Sequence, residues 1–171
     1  MNSKFKKEGI DAAHKRWWQT FEVVFGIPFF VAITLQFIIP LSLPQGLLTP
    51  AVILGGITFI TVGVVLVIFA RREIARYGQP TDPGRPTSKL ITTGVFAISR
   101  NPLYLGGVCI EVGIALALNL AWVLVFLPVA LIGCRYILIA PEERYLAEKF
   151  GTEYHVYAAS VHRWIGRTQD G

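Results

Sequence analysis

The sequence predicts an all-α membrane protein: a polytopic helical bundle of about four transmembrane helices followed by C-terminal interfacial helices. Three observations predict it. Of the 171 residues, 53% are hydrophobic and 16% charged, and mean hydropathy is +0.53, too apolar for a water-soluble domain of this size. The apolar residues fall in runs long enough to cross a bilayer core, which takes roughly 20 residues. Lysine and arginine are confined to alternate connections between those runs.

The elements follow in order, within one integral-membrane domain covering 1–171. The first span runs over 21–43, with Glu22 at its edge. Its apolar run exceeds the roughly 7–15 residues of a signal-peptide core and no small-residue cleavage site follows, so it is expected to remain as an anchor. The second span, 49–70, contains no charge. The third, 102–118, is shorter and contains Glu111; the fourth, 120–140, carries only Arg135. A loop over 71–99 joins spans two and three, and a tail over 141–171 closes the chain.

Charge asymmetry orients these spans. Lys4, Lys6, Lys7, Lys15 and Arg16 precede span one; Arg71, Arg72, Arg76, Arg85 and Lys89 lie in the middle loop; Lys149, Arg163 and Arg167 follow span four. The other two connections have neither Lys nor Arg. The positive-inside rule therefore puts both termini and the middle loop in the cytoplasm. A net charge of +5 suits anionic headgroups. No aromatic-basic motif for RNA or DNA appears, which excludes a nucleic-acid partner.

The middle loop holds a turn-rich stretch, Gln79 to Thr87, that cannot continue a helix. Loops of this length serve as lids or are disordered linkers, and the lid is favoured. Gly56 and Gly63 are seven residues apart, as are Gly106 and Gly113, with Ala117 four further on. Small residues on one face let membrane helices approach closely. In the tail, Pro141 suits a first helical turn and the acidic pair behind it favours the positive end of the helix dipole. Gly151 is a stop, and Thr152 can cap a second helix on which Tyr154, Tyr157 and Val161 share a face. Trp164 is an anchor at the membrane interface.

Chemistry-bearing residues gather at one membrane surface. Arg100-Asn101-Pro102-Leu103-Tyr104-Leu105-Gly106 opens span three, and Glu142 and Glu143 follow span four. Each has a bland role: Asn101 as a helix cap, Arg100 snorkelling to phosphate, the acids complementing a dipole. Together they have a sharper one. Arginine for a carboxylate, glutamate for an ammonium and tyrosines for a positively charged apolar body suit an amino-acid-bearing sulfonium such as S-adenosylmethionine. Adjacent Glu142 and Glu143 are about 100° apart on a helix, so one of them at most faces a given pocket squarely. Glu111 is either a base for an amine acceptor or a partner for a polar group in the bundle. Arg135 snorkels or pairs, with a contact to a substrate carboxylate as the alternative, and no contact between it and Glu111 is expected. His14, His155 and His162 have no metal-ligand spacing, and Cys109 and Cys134 read as reduced, buried thiols, so no metal is expected.

Gly94-Val95-Phe96, the Arg100 to Gly106 motif, Glu142-Glu143, Phe150-Gly151, Tyr154, Tyr157 and Arg163-Trp164 occur in an order that resembles the membrane methyltransferase family. That family joins isoprenylcysteine carboxyl methyltransferases with phospholipid N-methyltransferases. The resemblance covers Leu90 to Trp164. It implies an S-adenosylmethionine pocket at the cytoplasmic ends of the last two spans, lined by Gly94, Arg100, Asn101, Pro102, Tyr104, Glu142 and Glu143. Tyr154, Tyr157 and Arg163 would belong to the closing tail. Arg100 and Glu111 are the catalytic candidates, and the lipid or small amphiphilic substrate would reach the methyl group sideways from the bilayer. Prenylcysteine enzymes typically carry histidine after the motif arginine, where this chain has Asn101. The expected activity is methyl transfer to a lipid-like or prenylcysteine-like acceptor, with phospholipid amines as the alternative. From another class, a small proton-coupled transporter would use Glu22 or Glu111 as carrier.

Overall fold

A computed structural model describes residues 20–44, 46, 49–79 and 87–168. The basic N-terminal flank, His14 and the centre of the middle loop lie outside the described residues. The elements are α1 (Phe21–Ile38), α2 (Thr49–Arg76), a 3-10 turn (Gly94–Ala97), α3 (Pro102–Ala117), α4 (Ala121–Gly133), a π segment (Cys134–Ile139), α5 (Ala140–Phe150) and α6 (Thr152–Ser160). This is an all-α membrane bundle, with one isolated β-bridge, Val161 to Arg167, among the described residues.

Three helical stretches are long and apolar enough to cross a bilayer: Phe21–Ile38, Thr49–Arg76 and Ala121–Phe150. The expected third span, α3, has 16 residues, about 24 Å at 1.5 Å per residue. That is short of the roughly 30 Å of a hydrocarbon core, and α3 packs along α2.

Three boundaries differ from expectation. Helix α1 stops at Ile38 instead of running to Leu43, because Pro40 disfavours helical backbone in the residue before it. Helix α2 continues six residues past Ala70, so the loop begins at Tyr77; Arg76 in the last turn complements the helix dipole. No turn separates span four from the tail. Pro141 lacks an N–H and its ring crowds the carbonyl four residues back. The preceding turn widens into the π segment, and the helix passes through without a break.

The bundle is built from two tight pairs, α2 with α3 and α1 with α4, with α3 also meeting α4. The glycine spacing read from the sequence is the seam of the first pair. A Cβ added to Gly63 would lie 2.5 Å from the Gly106 carbonyl oxygen and 2.8 Å from Ile110 Cγ1, and one added to Gly56 would lie 2.6 Å from Ala117 N. Gly63→Val is expected to destabilise by about 1–3 kcal/mol through overpacking. Gly55→Val, whose added Cβ meets nothing within 4 Å, is the control. Thermal unfolding in detergent should separate the two variants, and equal transitions would mean the seam yields freely.

At the far end of the bundle, Trp122 Nε1 donates to Ile39 O at 2.8 Å, and Leu43 N donates to Asn119 Oδ1 at 2.7 Å. Asn119 takes the left-handed backbone, φ 57°, that turns α3 into α4. At the near end the starts of α1 and α3 and the end of α4 share a core. Val24, Phe25, Ala130, Cys134, Leu138 and Ile139 are buried there, with Phe21, Tyr104 and Trp164 packed against them. This core is the floor beneath the charged residues.

Candidate active site

The connector Ile98–Asn101 and the tail 160–168 are laced together by main-chain bonds. Arg100 N donates to His162 O at 3.1 Å, and Gly166 N to Ile98 O at 2.9 Å. Asn101 does not cap α3 as expected. Its side chain is buried and Nδ2 donates instead to Arg163 O at 3.0 Å, while Ser99 Oγ accepts from Asn101 N at 3.1 Å. Pro102 occupies the first turn of α3, fully buried, which fixes the angle at which the helix leaves this knot. Tyr157 Oη donates to Phe96 O at 2.8 Å, adding a third tie from α6. The tail therefore closes over the connector.

That closure brings three arginines to one carboxylate. Arg163 grips Glu143 with both arms of its fork, Nε to Oε1 at 2.8 Å and Nη2 to Oε2 at 3.0 Å. Arg100 Nη1 lies 3.3 Å from Oε1, and Arg135 Nη1 lies 3.8 Å from Oε2, beyond hydrogen-bonding distance. Arg100 Nη1 also donates to Tyr154 Oη at 3.1 Å. Arg100 Nε and Arg135 Nη1 are buried without a hydrogen-bond partner among the described residues.

The neighbouring acid is treated differently. Glu142 Oε2 accepts from Tyr104 Oη at 3.2 Å, and among the described residues it has no ion pair. The π segment ends three residues before Glu142, and Glu142 and Glu143 then diverge by one helical step, one toward α3 and one toward the tail. Phe21 stacks on Tyr104 with ring centroids 6.3 Å apart, fixing the phenol that holds Glu142.

In α6, burial and the negative charge of Glu143 push the Tyr154 hydroxyl above its ordinary range, against the opposing pull of Arg100. Burial pushes Tyr157 up as well. Both phenols are therefore neutral hydrogen-bonding groups. The bonds to Glu143 push the Arg163 guanidinium up, against its burial, and fix it as a cation.

A cavity of about 360 Å³ opens beside Arg100, walled by Ala158, Val161, His162, Arg163, Trp164 and Ile165 of the tail. Arg100 belongs both to this cavity and to the charged cluster. Of the residues expected to hold the methyl donor, Arg100 and Arg163 line this cavity, whereas Tyr104, Glu142, Tyr154 and Tyr157 are not among its walls; the two guanidiniums are groups that could receive a carboxylate there.

Two expected residues stand apart. Gly94 starts the 3-10 turn at φ +60°, and a Cβ there would lie 2.9 Å from Glu73 Cδ, so glycine is required by backbone and space. Glu111 lies seven residues beyond Tyr104 along α3, about 10 Å farther into the bundle. Sequence reasoning missed Glu73, a buried carboxylate that accepts from Thr93 Oγ1 and from Arg76 Nη1 at 3.2 Å, tying α2 to the connector. Its setting between Arg72 and Arg76 reads as a solvated helix end, and no local signal marks the partner twenty residues away. Arg135, for which the sequence allowed a substrate-carboxylate contact, stands 3.8 Å from Glu143.

A family model described as phospholipid methyltransferase matches residues 51–153. No curated protein and no solved structure matches the chain.

Proposed function

The chain belongs to the phospholipid methyltransferase family, and from that premise we propose S-adenosylmethionine-dependent methyl transfer to a lipid-like or prenylcysteine-like acceptor at the cytoplasmic membrane face. That it is an integral membrane methyltransferase directed at lipids comes with the family and the apolar helices; the transporter alternative is thereby displaced. The cofactor, the face and the acceptor are the proposal.

The carrying observation is the unequal treatment of the two acids. Glu143 is held by arginines, whereas among the described residues Glu142 is held only by a phenol. Glu142 is left to receive an ammonium group, and the unpartnered Arg100 Nε to receive a carboxylate. Tyr104 orients Glu142, and Tyr154 orients Arg100. Asn101, Pro102 and Tyr157 hold the connector and tail that shape the pocket, and Gly94 begins that connector. S-adenosylmethionine, when bound, supplies an electrophilic methyl group on a positively charged sulfur. The chain's own task is alignment, which in the best-oriented cases contributes roughly 7–11 kcal/mol. Arg163 and Glu143 latch the tail over the pocket and exclude water.

The acceptors differ in what they ask of the chain. A carboxylate acceptor is nucleophilic as it stands. An ammonium acceptor must first lose a proton, and Glu111 is the base within the bundle for that reaction. Purified protein given methyl-labelled S-adenosylmethionine is expected to label an organic-extractable acceptor, with phosphatidylethanolamine and a prenylcysteine analogue offered separately. In the amine case Glu111→Gln lowers the rate at least a hundredfold; in the carboxyl case it does not. Absence of label from every lipid extract, with cofactor present, would overturn the reading.

A further inference from the structure

Arg135 is the single charged residue between Ala121 and Ile139, and neither bland explanation accounts for it. A snorkelling arginine sends its guanidinium to water, but here Nη1 is buried and without a hydrogen-bond partner. A structural ion pair needs a carboxylate with bonds to spare. Glu143 is already gripped by Arg163 on both oxygens and approached by Arg100, and Arg135 stays 3.8 Å away. Three guanidiniums share one carboxylate, and even with Glu142 included the cluster keeps an excess positive charge. At a membrane boundary such a charge calls for an anion.

The local backbone supports a ligand role. Arg135 lies in the π segment, a distortion frequent at functional sites. Its side chain keeps 36% of its surface, and the next residue, Tyr136, is 71% exposed on the outer face of the bundle. One side of Arg135 therefore meets the cluster, and its guanidinium lies over the exposed Tyr136 ring, 5.9 Å from the centroid, with part of its surface open.

We infer that Arg135 is the core of an oxyanion site that recognises the phosphate or carboxylate of the acceptor, and so determines which lipid presents itself for methylation. This rests on the methyltransferase reading above. Two buried guanidinium nitrogens lack acceptors: Arg100 Nε serves the methyl donor's carboxylate and Arg135 Nη1 the acceptor's oxyanion. Arg135 acts by binding and positioning; it exchanges no proton.

The test uses full-length protein in neutral detergent, saturated with S-adenosylhomocysteine, and follows binding by calorimetry. Dihexanoyl phosphatidic acid, neutral dihexanoylglycerol and inorganic phosphate are titrated separately. The phosphatidic acid is expected to bind one per chain and at least tenfold tighter than the glycerol. Arg135→Gln should lose at least tenfold of that affinity, yet bind S-adenosylhomocysteine within twofold of the parent. Arg135→Lys, which keeps the charge and so the fold, should lose three- to tenfold by removing the planar fork. Weak binding of inorganic phosphate assigns the anion to a lipid headgroup; phosphate binding as tightly as the lipid overturns that assignment. Equal affinity for the charged and neutral lipids overturns the site, as does a loss of S-adenosylhomocysteine affinity in both variants, which would place Arg135 on the donor. Failure of the parent protein to bind S-adenosylhomocysteine would instead sink the methyltransferase reading.

Discussion

Glu143→Ala is expected to lower stability by about 3 kcal/mol, because it leaves three guanidiniums facing one another without their shared anion. Removing one partner of a buried ion pair typically costs about 3–5 kcal/mol. The lower edge applies because Arg135 and Arg163 keep 36% and 33% of their side-chain surface. The loss is directional. Arg163 is the residue whose carbonyl receives Asn101 and whose guanidinium receives Glu143, so the tail from Val161 onward should loosen first. Limited proteolysis should cut the variant near the C-terminus at a temperature where the parent resists, and the thermal transition in detergent should fall. Glu143→Gln keeps the shape and one acceptor oxygen for the Arg163 fork, with an amide N–H₂ facing the other guanidinium donor, and should recover only a small part of the loss. A Glu143→Ala protein as stable and protease-resistant as the parent would mean that the three arginines are satisfied by solvent.

Glu142→Gln should leave the fold nearly untouched and weaken S-adenosylhomocysteine binding about thirtyfold or more, the equivalent of about 2 kcal/mol for a lost charge-assisted contact. The amide still accepts from Tyr104, so the local hydrogen bond of 3.2 Å survives while the negative charge does not. The comparison with Glu143→Ala is therefore sharp: one variant unfolds the latch, the other empties the pocket. Calorimetric titration measures the affinity, and thermal unfolding of the ligand-free variant checks that the fold is intact. Unchanged affinity would remove Glu142 from the cofactor site.

What the chain reveals in one dimension depends on how far away each partner lies. The α2–α3 seam is legible because glycines seven apart on two helices state the packing face directly, and Gly63 against Gly106 fulfils it. The number of apolar stretches is legible from their length. The pairing of the acids is not. It depends on the phase of α5 after the π segment, and the proline beside that segment reads equally as the start of a new helix. Asn101 illustrates the same limit: its local signal is helix capping, but its partner Arg163 lies 62 residues on and wins. Pro141 reads as a start because proline is tolerated in a first turn, whereas a widened turn before it lets the helix run through. Tyr154, Tyr157 and Val161 share a buried face as their spacing required.

The glycine seam also limits traffic. Where Gly56 meets Gly113 and Gly63 meets Gly106, main chain rests on main chain with no room for even one added carbon. An acyl tail cannot slip through that wall without prising two helices apart. Any greasy visitor to the charged vestibule must use another flank.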